Sequence, residues 1–451
     1  MRLSPVLSVA LVYCGLAAAQ QPVYFSVPGP EAPELAKRGS FSVGVRTVDL
    51  VHPGQVDILK FDKATGKAPL YDRPLKVEVW YPAVIPAGKE EKTTYVSAMF
   101  GTQNTGGSFE IPGKALRDAP PVGGQRFPLV IVSHGYPGSR TFLSYLTENL
   151  ASKGYVVAAI DHTDSVFGEV RPFPSTLLNR SNDQLFTIEA LGRLSADSGS
   201  FLNGLADAGN VAIVGYSMGG YGALTSAGAG FSRASALASA VPGGYIEDWL
   251  ADSPKFQAIR RDNIKAIVAI APWGEQAPYN AWDEKGLAGI RIPSLFIVGD
   301  HDDVAVYDTG VRRAFERAVN SERCMLVYEG ARHNTGGNPP PPGLTDLRFV
   351  QGFEEPVWRK DRIISINQHF ITAFLDLNLK GDKTKRDYLQ VAPAHSSDGK
   401  WAVPPGTPDM GAFSTGRDSA GNTFWKGFQR RWALGMEMSC SATNLVASSS
   451  R

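Results

Sequence analysis

The sequence is 451 residues long, with 43% hydrophobic and 20% charged side chains, enough apolar content for a sizeable buried core. Its 45 basic and 44 acidic residues leave a formal net charge of +1, so the charge balance does not point to a polyanionic partner such as nucleic acid. The three cysteines form no zinc-binding pattern, and no segment approaches the roughly 18 apolar residues of a membrane span.

The N-terminus reads as an export signal over residues 1–19. Arg2 supplies the positive charge, Val6 to Leu16 the apolar stretch, and Ala17, Ala18 and Ala19 the small residues before a cut at Gln20. Bulky Tyr13 before Cys14 argues against a lipid anchor there. A lead-in rich in Pro, Ala and Gly follows over 20–40. The exported chain keeps Cys324 and Cys440, which either pair in an oxidising compartment or leave Cys324 as a buried thiol; both states stay open.

Residues 43–48 and 75–80 alternate apolar and polar side chains, which predicts an antiparallel strand pair. Residues 128–132 form a continuous apolar run, the mark of a strand covered on both faces. Phe142, Leu146 and Leu150 predict the next helix, closed by Lys153-Gly154. Strands are predicted at 155–160, 211–214, 264–270, 294–298 and 324–328. A polar helical stretch runs to about Asp207, and an amphipathic closing helix spans 363–379. Apolar strands separated by helices predict an α/β fold with a doubly wound, mostly parallel sheet. The catalytic domain is expected over 41–382. The extension 383–451 is loop-like, except for a period-2 run at 432–438 that predicts a strand docking on the main body. A Pro-rich run at 339–342 opens an insertion, 339–360, suited to a rim or lid.

The chemistry centres on Gly215-Tyr216-Ser217-Met218-Gly219, between a predicted strand and a small-residue helix. A serine at the tip of a sharp strand-to-helix turn adopts strained angles, and glycines two residues either side remove Cβ atoms that would collide. Ser217 is the expected nucleophile. Two backbone N–H groups are needed for the oxyanion; Met218 offers one, and Tyr136, in the turn Ser133-His134-Gly135-Tyr136-Pro137, the other. The Tyr136 ring would also form one wall of the acyl pocket.

Acid then histidine should follow the serine in chain order. His52, His134 and His162 come too early, His301 adjoins the acid, and His369 and His395 lie in the closing helix and the tail as surface or packing residues. His333, just past the last core strand, is the expected base. Asp302 is the expected acid by its spacing from Gly299, with Asp300 and Asp303 as neighbouring alternatives and Glu275, on the preceding strand's loop, as another. Such a triad needs no metal or organic cofactor. The single N-glycosylation sequon is Asn179-Arg180-Ser181.

With these residues assembled, the chain resembles the dienelactone-hydrolase and platelet-activating-factor-acetylhydrolase-like group of α/β-hydrolases. The likeness rests on residues 43–47 and 77–82, Ser133-His134-Gly135, Gly138-Ser139-Arg140, 154–157, and Gly215-x-Ser217-x-Gly219-Gly220, with further similarity at 368–370, 379–381 and 425–428. It is also similar to the cutinase-like polyester hydrolases, which carry a tyrosine after the first oxyanion glycine, a Ser-Met pair at the elbow and a tryptophan after Ala-Pro. Tyr136, Ser217-Met218 and Trp273 occupy those positions, which implies that Trp273 and Tyr136 contact substrate. The chain departs in its greater length and in the 339–360 insertion; dienelactone hydrolases proper use a cysteine where this chain has Ser217. The resemblance implies a secreted serine hydrolase of carboxylic esters, of short-to-medium acyl, lipid or polyester type. Amide or peptide hydrolysis on the same triad, and an inactive hydrolase-fold binding protein, are the rival readings.

Overall fold

The computed structural model describes residues 23–99, 107–341, 344–401 and 421–444. The expected export signal lies outside them. Strands β1 (Ser42–Val56) and β2 (Leu70–Ala83) form the antiparallel pair read from the sequence, but the ribbon runs well past residue 48. Beyond Val48 its side chains are exposed or half-buried, so no apolar alternation marks the extension. Two elements without a sequence signal follow: a separate hairpin of β3 (Thr93–Ala98) and β4 (Ser108–Gly113), and the short edge strand β5 (Leu116–Arg117).

The continuous apolar runs become β6 (Phe127–Ser133), β7 (Val156–Asp161), β10 (Ala206–Tyr216), β11 (Ile264–Ile270), β12 (Ser294–Gly299) and β13 (Arg323–Tyr328), with the small ribbon β8 (Ser165–Val166) and β9 (Glu169–Val170) after β7. Strand β14 (Met436–Ser441) closes the sheet, whose order is β14-β13-β12-β11-β10-β6-β7-β2-β1-β5. The six strands from β7 to β13 are parallel; β2 and β14 join them antiparallel at either side. The predicted doubly wound α/β sheet is therefore the observed one. After β6 the chain first adds β7 on one side and then returns to place β10 on the other. The carboxyl ends of β6 and β10 thus form the switch point, where open parallel sheets leave a crevice.

The helices are α1 (Ser144–Ser152), α2 (Phe173–Ala196), α3 (Met218–Ser226), the short α4 (Leu237–Ala240), α5 (Pro254–Ala258), α6 (Glu284–Leu287), α7 (Arg313–Arg317) and α8 (Leu347–Val350), and α9 (Lys360–Leu379). Leu177, Phe186, Tyr221 and Leu224 of α2 and α3 pack with Leu129, Ile131, Ile213 and Ile267 on one face of the sheet. Leu146, Leu150, Ile363, Phe370 and Phe374 of α1 and α9 pack with Val130, Val132, Val214 and Val268 on the other. Alternate residues of the same strands supply the two cores, which is why the strands are apolar throughout. Truncating a fully buried ring such as Phe370 to alanine costs about 3–5 kcal/mol.

The tail strand starts later than its sequence pattern indicates, at Met436, not Trp432. Arg431 and Gly435 have positive φ (71° and 74°), so the chain turns there before entering the sheet. Pairing with β13 sets Cys324 opposite Cys440, with Cα atoms 4.1 Å apart, and the two form a disulfide. Asn179 of the sequon is buried in α2 and donates to Ser175 Oγ, so the folded surface does not present it.

Candidate active site

Strand β10 ends at Tyr216 and α3 begins at Met218, leaving Ser217 alone at the bend with φ 53° and ψ −115°. Holding a non-glycine residue there costs on the order of 1–3 kcal/mol. The surroundings over-determine it: Ser217 N–H donates to the Ile270 carbonyl at 2.8 Å, while its own carbonyl accepts from Tyr221 N–H at 3.0 Å and Trp273 N–H at 3.2 Å. A Cβ on Gly215 would run into the Gly219 carbonyl, and one on Gly219 into the Ser133 carbonyl. Both glycines are therefore required by close approach.

His333 leaves the loop after β13 and brings Nε2 to 3.0 Å from Ser217 Oγ. Its Nδ1 lies 2.9 Å and 3.0 Å from the two carboxylate oxygens of Asp302, in the loop after β12. Burial works against ionising Asp302, but His333 and the N–H groups of Val304 and Ala305 outweigh it and hold the carboxyl below the usual carboxylate range. The chain order is serine, aspartate, histidine, all at the carboxyl ends of parallel strands. This is the α/β-hydrolase fold.

The alternatives weighed on sequence lie elsewhere in the hydrolase frame. Asp300 accepts from Gly330 N–H at 2.6 Å, and Asp303 pairs with Arg332 at 3.0 Å. Glu275 is buried, accepts from Trp282 N–H, and stands 3.1 Å from Arg313 Nε as an ion pair without hydrogen-bond alignment. Burial pushes its pKa up to about 7. His301 is exposed; His395, also exposed, pairs with Glu329. His369 is a packing residue, fully buried against Phe370, Tyr388 and Phe428.

The N–H of Met218 and that of Tyr136 have no acceptor among the described residues. Gly135, the residue before Tyr136, would set a Cβ 3.3 Å from that of Ser217, so its turn lies against the serine. What orients this turn was not anticipated. Arg180, fully buried on α2, donates Nη1 to the His134 carbonyl at 2.5 Å and Nη2 to the Gly135 carbonyl at 3.4 Å and to Ser165 Oγ at 2.6 Å. His134 Nδ1 also lies 2.8 Å from the Gly135 carbonyl. In a trans peptide C=O and N–H point opposite ways, so drawing the Gly135 carbonyl towards Arg180 turns the Tyr136 N–H away from it.

Further buried ions lie around Arg180. Arg73 grips Asp183 through two bonds of 2.8 Å and 2.9 Å and pairs with Asp164 at 2.7 Å. His162 bridges Asp183 at 2.9 Å and Ser133 Oγ at 2.8 Å. Burial pushes His162 down to about 3 and Arg180 down to about 9. The one sequence cue was the polar run 179–183 inside an otherwise amphipathic helix.

Trp273, 8% exposed, and Tyr136 belong to a series of aromatics in contact. Tyr136 meets Phe173 edge-on at 5.0 Å, Phe173 meets Trp273 at 5.2 Å, and Trp273 meets Tyr279 at 4.4 Å. Sequence reading missed Phe173 and Tyr279. Tyr216 packs against His333 with ring centroids 5.4 Å apart.

The family described as platelet-activating factor acetylhydrolase, isoform II, matches residues 78–169, which include β6, the turn carrying Tyr136 and β7. Cutinase 2 of Thermobifida cellulosilytica is 25% identical over 206 residues, 45% of this chain and 59% of that protein. The chain spans about half the length of the curated cutinases it matches, 49% for cutinase cut1 of Thermobifida fusca. Platelet-activating factor acetylhydrolase of Cavia porcellus is 30% identical over 91 residues, 20% of each chain. A solved ferulic acid esterase from Streptomyces cinnamoneus aligns with TM-score 0.49 and 21% identity, covering 78% of this chain and 94% of that one. The chain is thus similar to acetylhydrolase and cutinase esterases. No helix among the described residues is long and apolar enough to cross a membrane.

Proposed function

We propose that this chain hydrolyses carboxylic esters through Ser217, His333 and Asp302. His333 Nε2 takes the hydroxyl proton as Ser217 Oγ attacks the acyl carbon, and Asp302 keeps the other ring proton on Nδ1 and stabilises the imidazolium. Charge collecting on the carbonyl oxygen is met by the N–H groups of Met218 and Tyr136, each worth about 3 kcal/mol of barrier. Collapse transfers the imidazole proton to the departing alkoxide and leaves an acyl-serine. Water activated by the same base releases the acid and restores the enzyme. Every proton is accounted for by protein groups, and the sequence requires no cofactor.

The observation that carries this reading is the 3.0 Å approach of His333 Nε2 to Ser217 Oγ, with Asp302 on the far nitrogen. The aromatic row of Tyr136, Phe173 and Trp273 favours apolar acyl or aromatic groups over charged ones, and the cutinase and acetylhydrolase relatives support esters over amides. The alanine-rich segment before Gln20 supports export of the chain. The test is hydrolysis of p-nitrophenyl esters of increasing acyl length beside matched anilides. Ester turnover lost in Ser217→Ala and absent on anilides is expected; undiminished turnover in that variant would sink the reading.

A further inference from the structure

The mechanism above leaves one buried carboxylate beside the base without a role. Glu355 belongs to the 339–360 insertion, between α8 and α9, and is 5% exposed. Its Oε2 accepts the N–H of Arg332 at 2.7 Å, and its Oε1 accepts the N–H of Asn334 at 2.6 Å. These residues flank His333, so a single carboxylate grips the backbone on both sides of the imidazole. The Asn334 carbonyl accepts from Lys360 Nζ at the first turn of α9. The Asn334 side chain donates to the Gln351 and Glu354 carbonyls at 2.7 Å and 2.9 Å, and Trp358 Nε1 donates to the Glu329 carbonyl at 2.8 Å. Phe353 meanwhile packs against Phe142 at 5.6 Å and Phe109 at 5.9 Å. The described part of the insertion is therefore bonded to the histidine loop itself.

The choice of a carboxylate is informative. An ionised carboxylate is costly to bury, and an insertion needed only for cover could use apolar side chains. Two N–H donors spaced around one residue are matched by two acceptor oxygens of one group. An amide would accept one and turn its own donors towards the other. The carboxylate also sets negative charge beside a ring that becomes positive during turnover.

We propose that Glu355 is a positioning residue for the general base, fixing the loop that aims His333 at Ser217 and favouring the imidazolium by its charge. The proposal rests on the esterase reading given above. The charged groups facing this loop are Asp302 at the ring nitrogen, Lys360 at the start of α9, Glu354 beside it, and Arg332, which turns out to Asp303.

The test compares Glu355→Gln, Glu355→Asp and Ser217→Ala in the full chain with p-nitrophenyl butyrate, following kcat, KM, the acid limb of the pH–rate profile and the thermal midpoint. In Glu355→Gln, kcat should fall roughly ten- to a hundredfold at unchanged KM. Its acid limb should move to lower pH, because a nearby negative charge no longer favours the imidazolium. Glu355→Asp keeps the charge with a shorter reach and should show a smaller fall with the acid limb in place. Wild-type kcat in folded Glu355→Gln would overturn the proposal, as would a lowered kcat with an unmoved acid limb, which is what structural support alone produces. Should Glu355→Gln fail to fold, Glu355→Asp decides: a kcat lowered at unchanged KM and unchanged thermal midpoint supports the role, whereas a wild-type kcat, or a kcat that falls only together with the midpoint, rejects it. Turnover surviving in Ser217→Ala would instead overturn the active-site reading, whatever the Glu355 variants do.

Discussion

Two loops meet at Ser217, and they are braced with opposite charge. The turn carrying Tyr136 is held by a cation, Arg180, which takes its carbonyl oxygens from behind. The loop carrying His333 is held by an anion, Glu355, which takes its N–H groups. In the proposed mechanism the first loop sends an N–H forward, so its carbonyls need a buried donor; the second sends a side chain forward, so its N–H groups are free to be captured. The sign of each brace follows from which backbone group the chemistry needs facing the substrate. The Arg180 brace is also embedded in a network of buried ions around Asp183, whereas Glu355 has Lys360 and the edge of an insertion.

The largest effect should come from the hydroxyl that both braces serve. Ser217→Ala is expected to lower kcat by a factor on the order of 10⁵–10⁶, and only against that floor can the braces be ranked. Next, Arg180→Met keeps volume but frees the Gly135 carbonyl, and kcat should fall by about 10²–10³ at little-changed KM if the Tyr136 N–H loses its aim. Wild-type kcat in a folded Arg180→Met protein would remove the oxyanion half of the comparison.

The pH dependence of stability separates the two braces by sign. His162 has a folded pKa pushed from 6.5 down to about 3 by burial, so the unfolded chain binds more protons below 6.5. Its contribution is complete above that value and is lost as pH falls towards 3, by about 1.4 kcal/mol per pH unit. Burial raises Glu355 above the ordinary carboxylate range, so its contribution runs the other way, present at low pH and lost as pH rises through its folded pKa. Thermal midpoints followed across pH should show a flatter acid limb in His162→Gln and a flatter slope just above the carboxylate range in Glu355→Gln. Equal slopes in wild type and both variants would refute the assignment. The smallest effect on turnover is expected at the sheet's far edge. Cys440→Ser should cost about 2–4 kcal/mol of stability while leaving kcat unaltered, because the cross-strand disulfide touches neither loop.

Much of the frame was readable because its signals are local. Continuous apolar runs mark the parallel strands, and Gly215 and Gly219 announce a bend that only glycines permit. The braces were not readable. Arg180 lies 45 residues from the Gly135 carbonyl that it holds, Glu355 is 21 residues from Asn334, and neither spacing repeats in any pattern. The bonding of the insertion to the histidine loop was not readable either, because a proline run says only that the chain is not helical. Phe173 and Tyr279 join Trp273 solely through packing, and the cysteine pairing waited on the register of β14 against β13.

By itself, then, the sequence determined the layered α/β architecture and the strained seat of Ser217, since both depend on residues within a turn or two of one another. Chain order and the spacing from Gly299 also pointed to His333 and Asp302, but their contact with Ser217, and what steadies the loops, were decided by strand order and by the side chains that the sheet brings alongside. Hydrogen-bond partners are chosen by proximity in space, and proximity across hundreds of residues exists only once the sheet has formed.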